Sequence, residues 1–249
     1  MKGFVRVMAF AAMTAGSASM MQAQAAPSAA DIVARYVTAI GGRDNILKIK
    51  SITVHQTVEV PAMGLTAHSE AYSAAPSKNA SKTTIAGLGE IITGFDGTNG
   101  WEINPMQGPR VFTAKEIEQA KENDLHGSRL FTAEFYPKME VLGEVDFAGE
   151  KAYKVKMTRK SGNEVTNYFS KANGLLIGAE TTTEGSMGTS SATMKFSNYQ
   201  EHEGVKYPAR VETMSGPQQL VFTVKSVTFN TVPANAFEAP AVIKPLIGK

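Results

Sequence analysis

Ser51–Val60 reads SITVHQTVEV, and the chain changes its period there. Ile52, Val54, Val58 and Val60 alternate with Thr53, His55, Thr57 and Glu59, and Gln56 is the one polar residue on the apolar side. A two-residue repeat of this kind predicts a strand with one face buried. Upstream the period is helical. In PSAADIVARYVTAIGG, Ser28 and Asp31 form a capping pair, Ile32, Val33, Tyr36, Val37 and Ile40 recur at helical spacing, and Gly41-Gly42 ends the run. RDNILKIK, between that helix and the strand, reads as one more short helix.

Downstream, strands follow one another over 65–75, 78–86, 89–96 and 100–104, and again over 139–147, 151–159, 163–170, 175–184, 190–200, 205–214 and 219–230. Short turn signals separate them, among them Pro61-Ala62-Met63-Gly64, Gly87-Leu88-Gly89, Asn173-Gly174 and Ser215-Gly216-Pro217. Connections this short favour antiparallel neighbours. One helical stretch, TAKEIEQAKENDLHGSRLFTAEF, interrupts the series. Thr113 and Glu116 cap it, Gly127 breaks it, and Leu130, Phe131 and Phe135 carry its second part to Tyr136-Pro137. The last residues, VPANAFEAPAVIKPLIGK, read as an extended tail on the surface. The expected fold is mostly β (α+β): a single curled antiparallel sheet, or half-barrel, of about 11–12 strands. A sheet this wide must curl or close. N-terminal helices and a helical lid over Thr113–Tyr136 would complete it and enclose an apolar cavity.

Composition narrows the function. Residues 1–25 have Lys2 and Arg6 at the front, an apolar run over Val7–Ala15 and Ala23-Gln24-Ala25 as a small-x-small cleavage site, the pattern of an export signal. The apolar run is well short of the roughly 20 residues needed to span a bilayer. Residues 26–249 then form a single domain with no transmembrane segment, and a soluble periplasmic location is expected. Two of the 25 basic residues and none of the 23 acidic ones fall in the signal, so the remainder has no net charge. A nucleic-acid partner is not expected on that balance. With no cysteine, the exported chain depends on its core rather than on disulfides, and it lacks the cysteine of a lipid anchor.

No motif announces catalysis or a cofactor. Asp96 and Thr98 begin like a calcium loop but are followed by Gly100, Glu102, Pro105 and Met106, which do not continue the ligand spacing. GLGE at Gly87–Glu90 lacks the third glycine and the helix of a dinucleotide site. His55, His68, His126 and His202 show no metal-ligand spacing, and GTSSAT lacks the second glycine of a nucleophile elbow. Asp96-Gly97 and Asn99-Gly100 therefore read as turn residues. Four of the seven methionines beyond residue 25 lie one or two residues before a glycine in turns: Met63-Gly64, Met106-Gln107-Gly108, Met187-Gly188 and Met214-Ser215-Gly216. Flexible, polarizable methionine suits surfaces that receive varied apolar partners, so a rim built from these turns would make a soft cavity mouth.

The segments GGRDNILKIKS, GFDGTNGWEINPMQGPR, NGLLIGAETTTEGSMG and GVKYPARVE, in this order, resemble the periplasmic outer-membrane lipoprotein-sorting proteins, relatives of the lipoprotein carrier LolA. The likeness extends over nearly all of residues 26–249. It implies a half-barrel covered by helices, with an apolar cavity that carries acyl chains. The functional arginine of that family is not assigned to any residue here.

Trp101, the single tryptophan, and Ile103 share one face of a strand, with Glu102 and Asn104 on the other. The expected cavity lining is Trp101, Ile103, Phe95, Met106, Met63, Met187, Met214, Leu130 and Phe131. The expected ligand is a lipid or lipoprotein acyl chain, with an inner- or outer-membrane protein as a further partner. The leading function is a non-enzymatic carrier or binder without cofactor. A regulatory module that senses lipids or lipoproteins for a membrane protein, and an enzyme acting on an apolar substrate, are the rival readings.

Overall fold

The computed structural model describes residues 26–185 and 188–248, with the side chains of 183–190 left aside. The expected export signal and Met187 lie outside the described residues. Helix α1 (Ala29–Ala39) starts at Ser28, whose hydroxyl accepts from the Asp31 N–H while the Asp31 carboxylate accepts from the Ser28 N–H. Helix α2 (Arg43–Lys48) leads into β1 (Ser51–Val60). There follow β2 (Leu65–Ala74), β3 (Lys78–Ile85), β4 (Gly89–Phe95), β5 (Gly100–Asn104) and β6 (Gly108–Val111). After α3 (Ala114–Lys121) and α4 (Gly127–Leu130) come β7 (Lys138–Phe147), β8 (Glu150–Thr158), β9 (Glu164–Ser170) and β10 (Leu176–Gly185). The series closes with β11 (Gly188–His202), β12 (Val205–Ser215) and β13 (Gln218–Phe229).

All thirteen strands form one antiparallel sheet in the order β6-β5-β4-β3-β2-β1-β13-β12-β11-β10-β9-β8-β7. It is an unclosed half-barrel. The additional strand is β6, four residues containing Pro109, which the sequence suggests as a mere chain reversal. Proline is tolerated there because β6 is an edge strand with no partner on its far side. The C-terminal segment is also unlike the expected extended tail: it folds into successive turns and a 3₁₀ turn over Lys244–Leu246, and Ile243 is fully buried.

Pairing register assigns each side chain to a face, because directly opposed residues of antiparallel strands point the same way. Ile52 and Val54 of β1 pack in one cluster with Ile32, Val33 and Tyr36 of α1, which defines the inner face of the sheet. The same cluster takes Val155 and Met157 from β8, Val165 and Phe169 from β9, Val227 and Phe229 from β13, and Leu130 and Phe131 from the α4 region. Tyr36, Phe131 and Phe169 meet edge to face at its centre, with ring centroids 5.4–5.6 Å apart. The core is one-sided: β3, β4, β5 and β6 contribute nothing to it.

Candidate functional site

Beyond that core the inner face carries apolar side chains with little packed against them. The pairs Val60–Leu65, Ala67–Ile85 and Thr83–Ile91 place Val60, Leu65, Ile85 and Ile91 on one surface. On the other side of β1, Val58 faces Phe222, and Phe222 and Leu220 follow one another along β13. Val60, Leu65, Ile85, Ile91, Leu220 and Phe222 are all half-buried, and none packs on a core cluster. Between them stand small residues: Ala67, Ser69, Ala71, Ser81, Thr83 and Thr93. The hydroxyls satisfy one another, Thr83 donating to Ser69 at 3.1 Å and Ser81 bonding Thr93 at 2.7 Å. Small side chains with internally paired polar groups leave a trough whose walls present little demand for water.

Helix α3 crosses between the sheet edges. Its cap is the Thr113–Glu116 box anticipated in the sequence. Arg110 on edge strand β6 binds Glu116 at 3.1 Å and Glu102 of β5 at 2.5 Å. At the other end Arg159, which follows β8 near the opposite edge, binds Glu122 at 2.8 Å, and Asn163 donates to both oxygens of Glu122. An eight-residue helix is about 12 Å long, so the two edges approach closely enough for one short helix to tie them. Electrostatics favour the fastened state. Burial opposes ionisation of Glu116, but hydrogen bonds from Arg110 and Thr113 outweigh it and hold the carboxyl below its ordinary value of 4.5. For Arg159, burial disfavours the cation, yet Tyr136 and Glu122 more than offset this and raise its pKa. Both latches are incompletely satisfied: the Nε of Arg110 and of Arg159 is buried without a hydrogen-bond partner.

The loop after α3 is fixed by main-chain contacts. Leu125 N–H donates to the Pro76 carbonyl at 2.8 Å, and His126 Nε2 lies 2.7 Å from the Ile49 carbonyl. Arg129 of α4 lies over the Tyr207 ring, 5.1 Å from its centroid. Burial pushes the nearby Tyr36 hydroxyl up to about 12, an effect that Arg129 opposes. Beside these contacts, at the C-terminal end of α3, is a cleft of about 590 Å³ with Leu47, Leu130 and Phe135 as its apolar part and Glu122, His126 and Arg159 among its polar walls.

The expected lining residues are distributed over four places. Trp101 and Ile103 share a face, but it is the outer one, opposite Glu102 and Arg110. Trp101 is nevertheless only 1% exposed, and its indole lies over Gly94, where an added Cβ would come within 2.4 Å of the ring. Phe95 is on the inner face and fully buried. Leu130 and Phe131 belong to the main core, and Met63, Met106 and Met214 are exposed at hairpin ends. Sequence reasoning missed the two latch arginines and the trough residues of β3, β4 and β13. For the latter the signal was present as apolar residues alternating with polar ones, but the inner face of these strands was not identifiable locally.

No family model matches the chain, and no curated protein matches it. Solved structures do. A LolA superfamily protein from Nitrosomonas europaea matches with a TM-score of 0.54 and 14% identity, over 86% of this chain and 99% of that one. A DUF1329 family protein from Desulfovibrio piger gives 0.53 and 13%, over 84% and 94% of the two chains. A domain described as an outer membrane lipoprotein-sorting protein, from Vibrio parahaemolyticus, gives 0.53 and 11%, over 84% and 95%. The fold of this chain is LolA-like.

Proposed function

We propose that the chain binds the acyl chains of lipids or lipid-modified proteins in the inner trough, as an exported, non-catalytic carrier. The observation that carries this reading is the group of half-buried apolar side chains on the inner face, Val60, Leu65, Ile85, Ile91, Leu220 and Phe222, which no core cluster uses. The LolA-like fold agrees with it, as do the lipoprotein-sorting description of the similar Vibrio parahaemolyticus domain and the LolA superfamily membership of the Nitrosomonas europaea protein. Burial of an acyl chain gains about 0.8 kcal/mol per methylene. A 16-carbon chain would thus gain on the order of 10 kcal/mol before ordering costs. That sum is large enough for stable uptake in a trough that remains loosely packed. No helix of the described residues is long and apolar enough to cross a membrane, and the proposed site of action is the periplasm.

The test uses the chain from residue 26 onward, which contains every described element. Native mass spectrometry without detergent should show a discrete lipid or acyl-peptide adduct, and the delipidated protein should take up palmitic acid or a palmitoylated peptide. Ile91→Asp and Phe222→Asp should each weaken uptake about tenfold or more, the cost of replacing a buried apolar contact by a charge. Ile91→Ala, a milder change, should weaken it less with the fold unchanged by circular dichroism. A clean unliganded mass together with no uptake of either probe would overturn the proposal. Uptake without release to acceptor vesicles would replace the carrier by the sensing module.

A further inference from the structure

The antiparallel order puts four hairpin turns at the same end of the sheet. They join β1 to β2, β3 to β4, β5 to β6 and β12 to β13, and these pairs are consecutive in the sheet order β6-β5-β4-β3-β2-β1-β13-β12. The β10–β11 and β8–β9 turns follow at the same end beyond them, the latter with Arg159 and Lys160, so the row is confined to the four consecutive hairpins. Each closes tightly at its base, where Val60 opposes Leu65, Ile85 opposes Gly89, Asn104 opposes Gly108 and Ser215 opposes Gln218, and the pairing between hairpins steps each base by two residues from the next, a regular diagonal row. Neighbouring tips are two strand spacings apart, about 10 Å, and the row extends about 30 Å.

Each hairpin end exposes one large apolar side chain: Met63 is 67% exposed, Leu88 51%, Met106 85% and Met214 43%. The turns, PAMG at 61–64, AGLG at 86–89, PMQG at 105–108 and SGPQ at 215–218, contain no ionisable residue and no aromatic one. The turns at the other end of the sheet differ from this row. They contain Asp96, Lys171 and Glu203, and Ala75-Pro76-Ser77 there lies against the loop after α3. Directly behind the apolar tips stand Val60, Leu65 and Ile85 of the trough, so apolar surface continues from the row into the inner face.

We propose that this row of hairpin tips docks on a lipid bilayer surface, each tip placing one apolar side chain among the outermost acyl segments. The chemistry favours a bilayer over a protein. Protein-binding hot spots draw on Trp, Tyr and Arg in preformed pockets, and the tips offer none of these. Single flexible side chains about 10 Å apart across the strands, each within two residues of a glycine, suit shallow insertion into a fluid surface. Without charge at the tips, attachment relies on apolar burial and is indifferent to ionic strength. Docking stands independently of what the trough holds.

Flotation with vesicles tests this, using the chain from residue 26 onward and vesicles of phosphatidylcholine alone or of phosphatidylethanolamine and phosphatidylglycerol. The protein should float with both kinds, and do so equally in low salt and in about 0.5 M salt, where exposed charges are screened. Met63→Asp, Leu88→Asp and Met106→Asp should each reduce the bound fraction about tenfold, the effect of withholding one apolar side chain from the lipid. The triple variant should not float, while its melting temperature and its palmitate uptake in solution stay as in the parent. The proposal is overturned if the parent does not float, if the triple variant floats like the parent, or if binding vanishes in high salt. It is likewise overturned if sedimentation shows that the substitutions instead abolish self-association of the chain.

Discussion

Gly94 and Gly100 sit at the two positions where β4 and β5 can afford no side chain. Across the outer face Gly94 opposes Trp101, and on the inner face a Cβ at Gly100 would approach the Phe112 ring to 2.0 Å. Gly94→Ala should therefore cost about 1–3 kcal/mol, the usual range for overpacking. The same substitution should change Trp101 emission, which has no other tryptophan to mask it; an unchanged melting temperature and spectrum would refute the packing described. Glu122→Gln tests the latch at its C-terminal end. It leaves the Arg159 guanidinium, already lacking a partner at Nε, without its carboxylate. Removing one partner of a largely buried pair is expensive, and partial exposure here reduces the figure to about 2 kcal/mol. Urea denaturation should show that loss, and the double variant Glu122→Gln/Arg159→Met should recover part of it. At this scale the sequence was legible in one respect: alternation put Trp101 and Ile103 on a common face. It did not tell inner from outer, because Gly94 and Phe95 are both buried, as are Gly100 and Trp101. A strand covered on both sides carries no polarity signal.

Helix α3 is the element whose attachment is conditional. Its eight residues make few contacts of their own, and its ends depend on Glu116 and Glu122. The folded-state pKa of Glu116 is depressed, so its stabilising contribution is complete above its ordinary value of 4.5 and disappears as pH falls through the lower folded value. Hydrogen exchange of the amides over 114–121 should accordingly quicken on acidification below about pH 4.5, after correction for intrinsic rates, and Glu116→Gln should remove most of that dependence. Exchange that is flat with pH in the parent would mean that Glu116 does not fasten the helix. Thr113→Ala, which deletes the cap hydroxyl, should cost about 1 kcal/mol of helix stability. The cap was readable because its two residues are three positions apart. The Arg110 and Arg159 contacts were not, since each depends on the curl of the sheet. The same dependence hid β6, a four-residue edge strand that exists only because β5 offers it a partner, and the burial of Ile243, which no local pattern marks.

At the scale of the whole molecule the half-barrel divides into unequal wings. The side formed by β7–β13 packs its inner face on α1 and the aromatic cluster of Tyr36, Phe131 and Phe169, whereas β3–β6 contribute nothing to that core. Turn punctuation and strand alternation revealed the long meander, but not this asymmetry, since wing and core strands have similar sequences and differ in what covers them. Strands with few buried apolar contacts open at lower free energy than the global transition. Native-state hydrogen exchange should therefore find the amides of β3 and β4 opening subglobally and those of β8, β9 and β13 only with complete unfolding. A ligand in the trough bridges both wings, so it should act most on the weaker one. At about 100 times the dissociation constant, linkage supplies about 2.7 kcal/mol, or about 100-fold slower exchange. Palmitic acid should slow β3 and β4 by up to that factor until their opening merges with global unfolding. Equal protection of the two wings without ligand would contradict the one-sided core. A ligand effect confined to β8 and β9 would place the acyl chain elsewhere than in the trough.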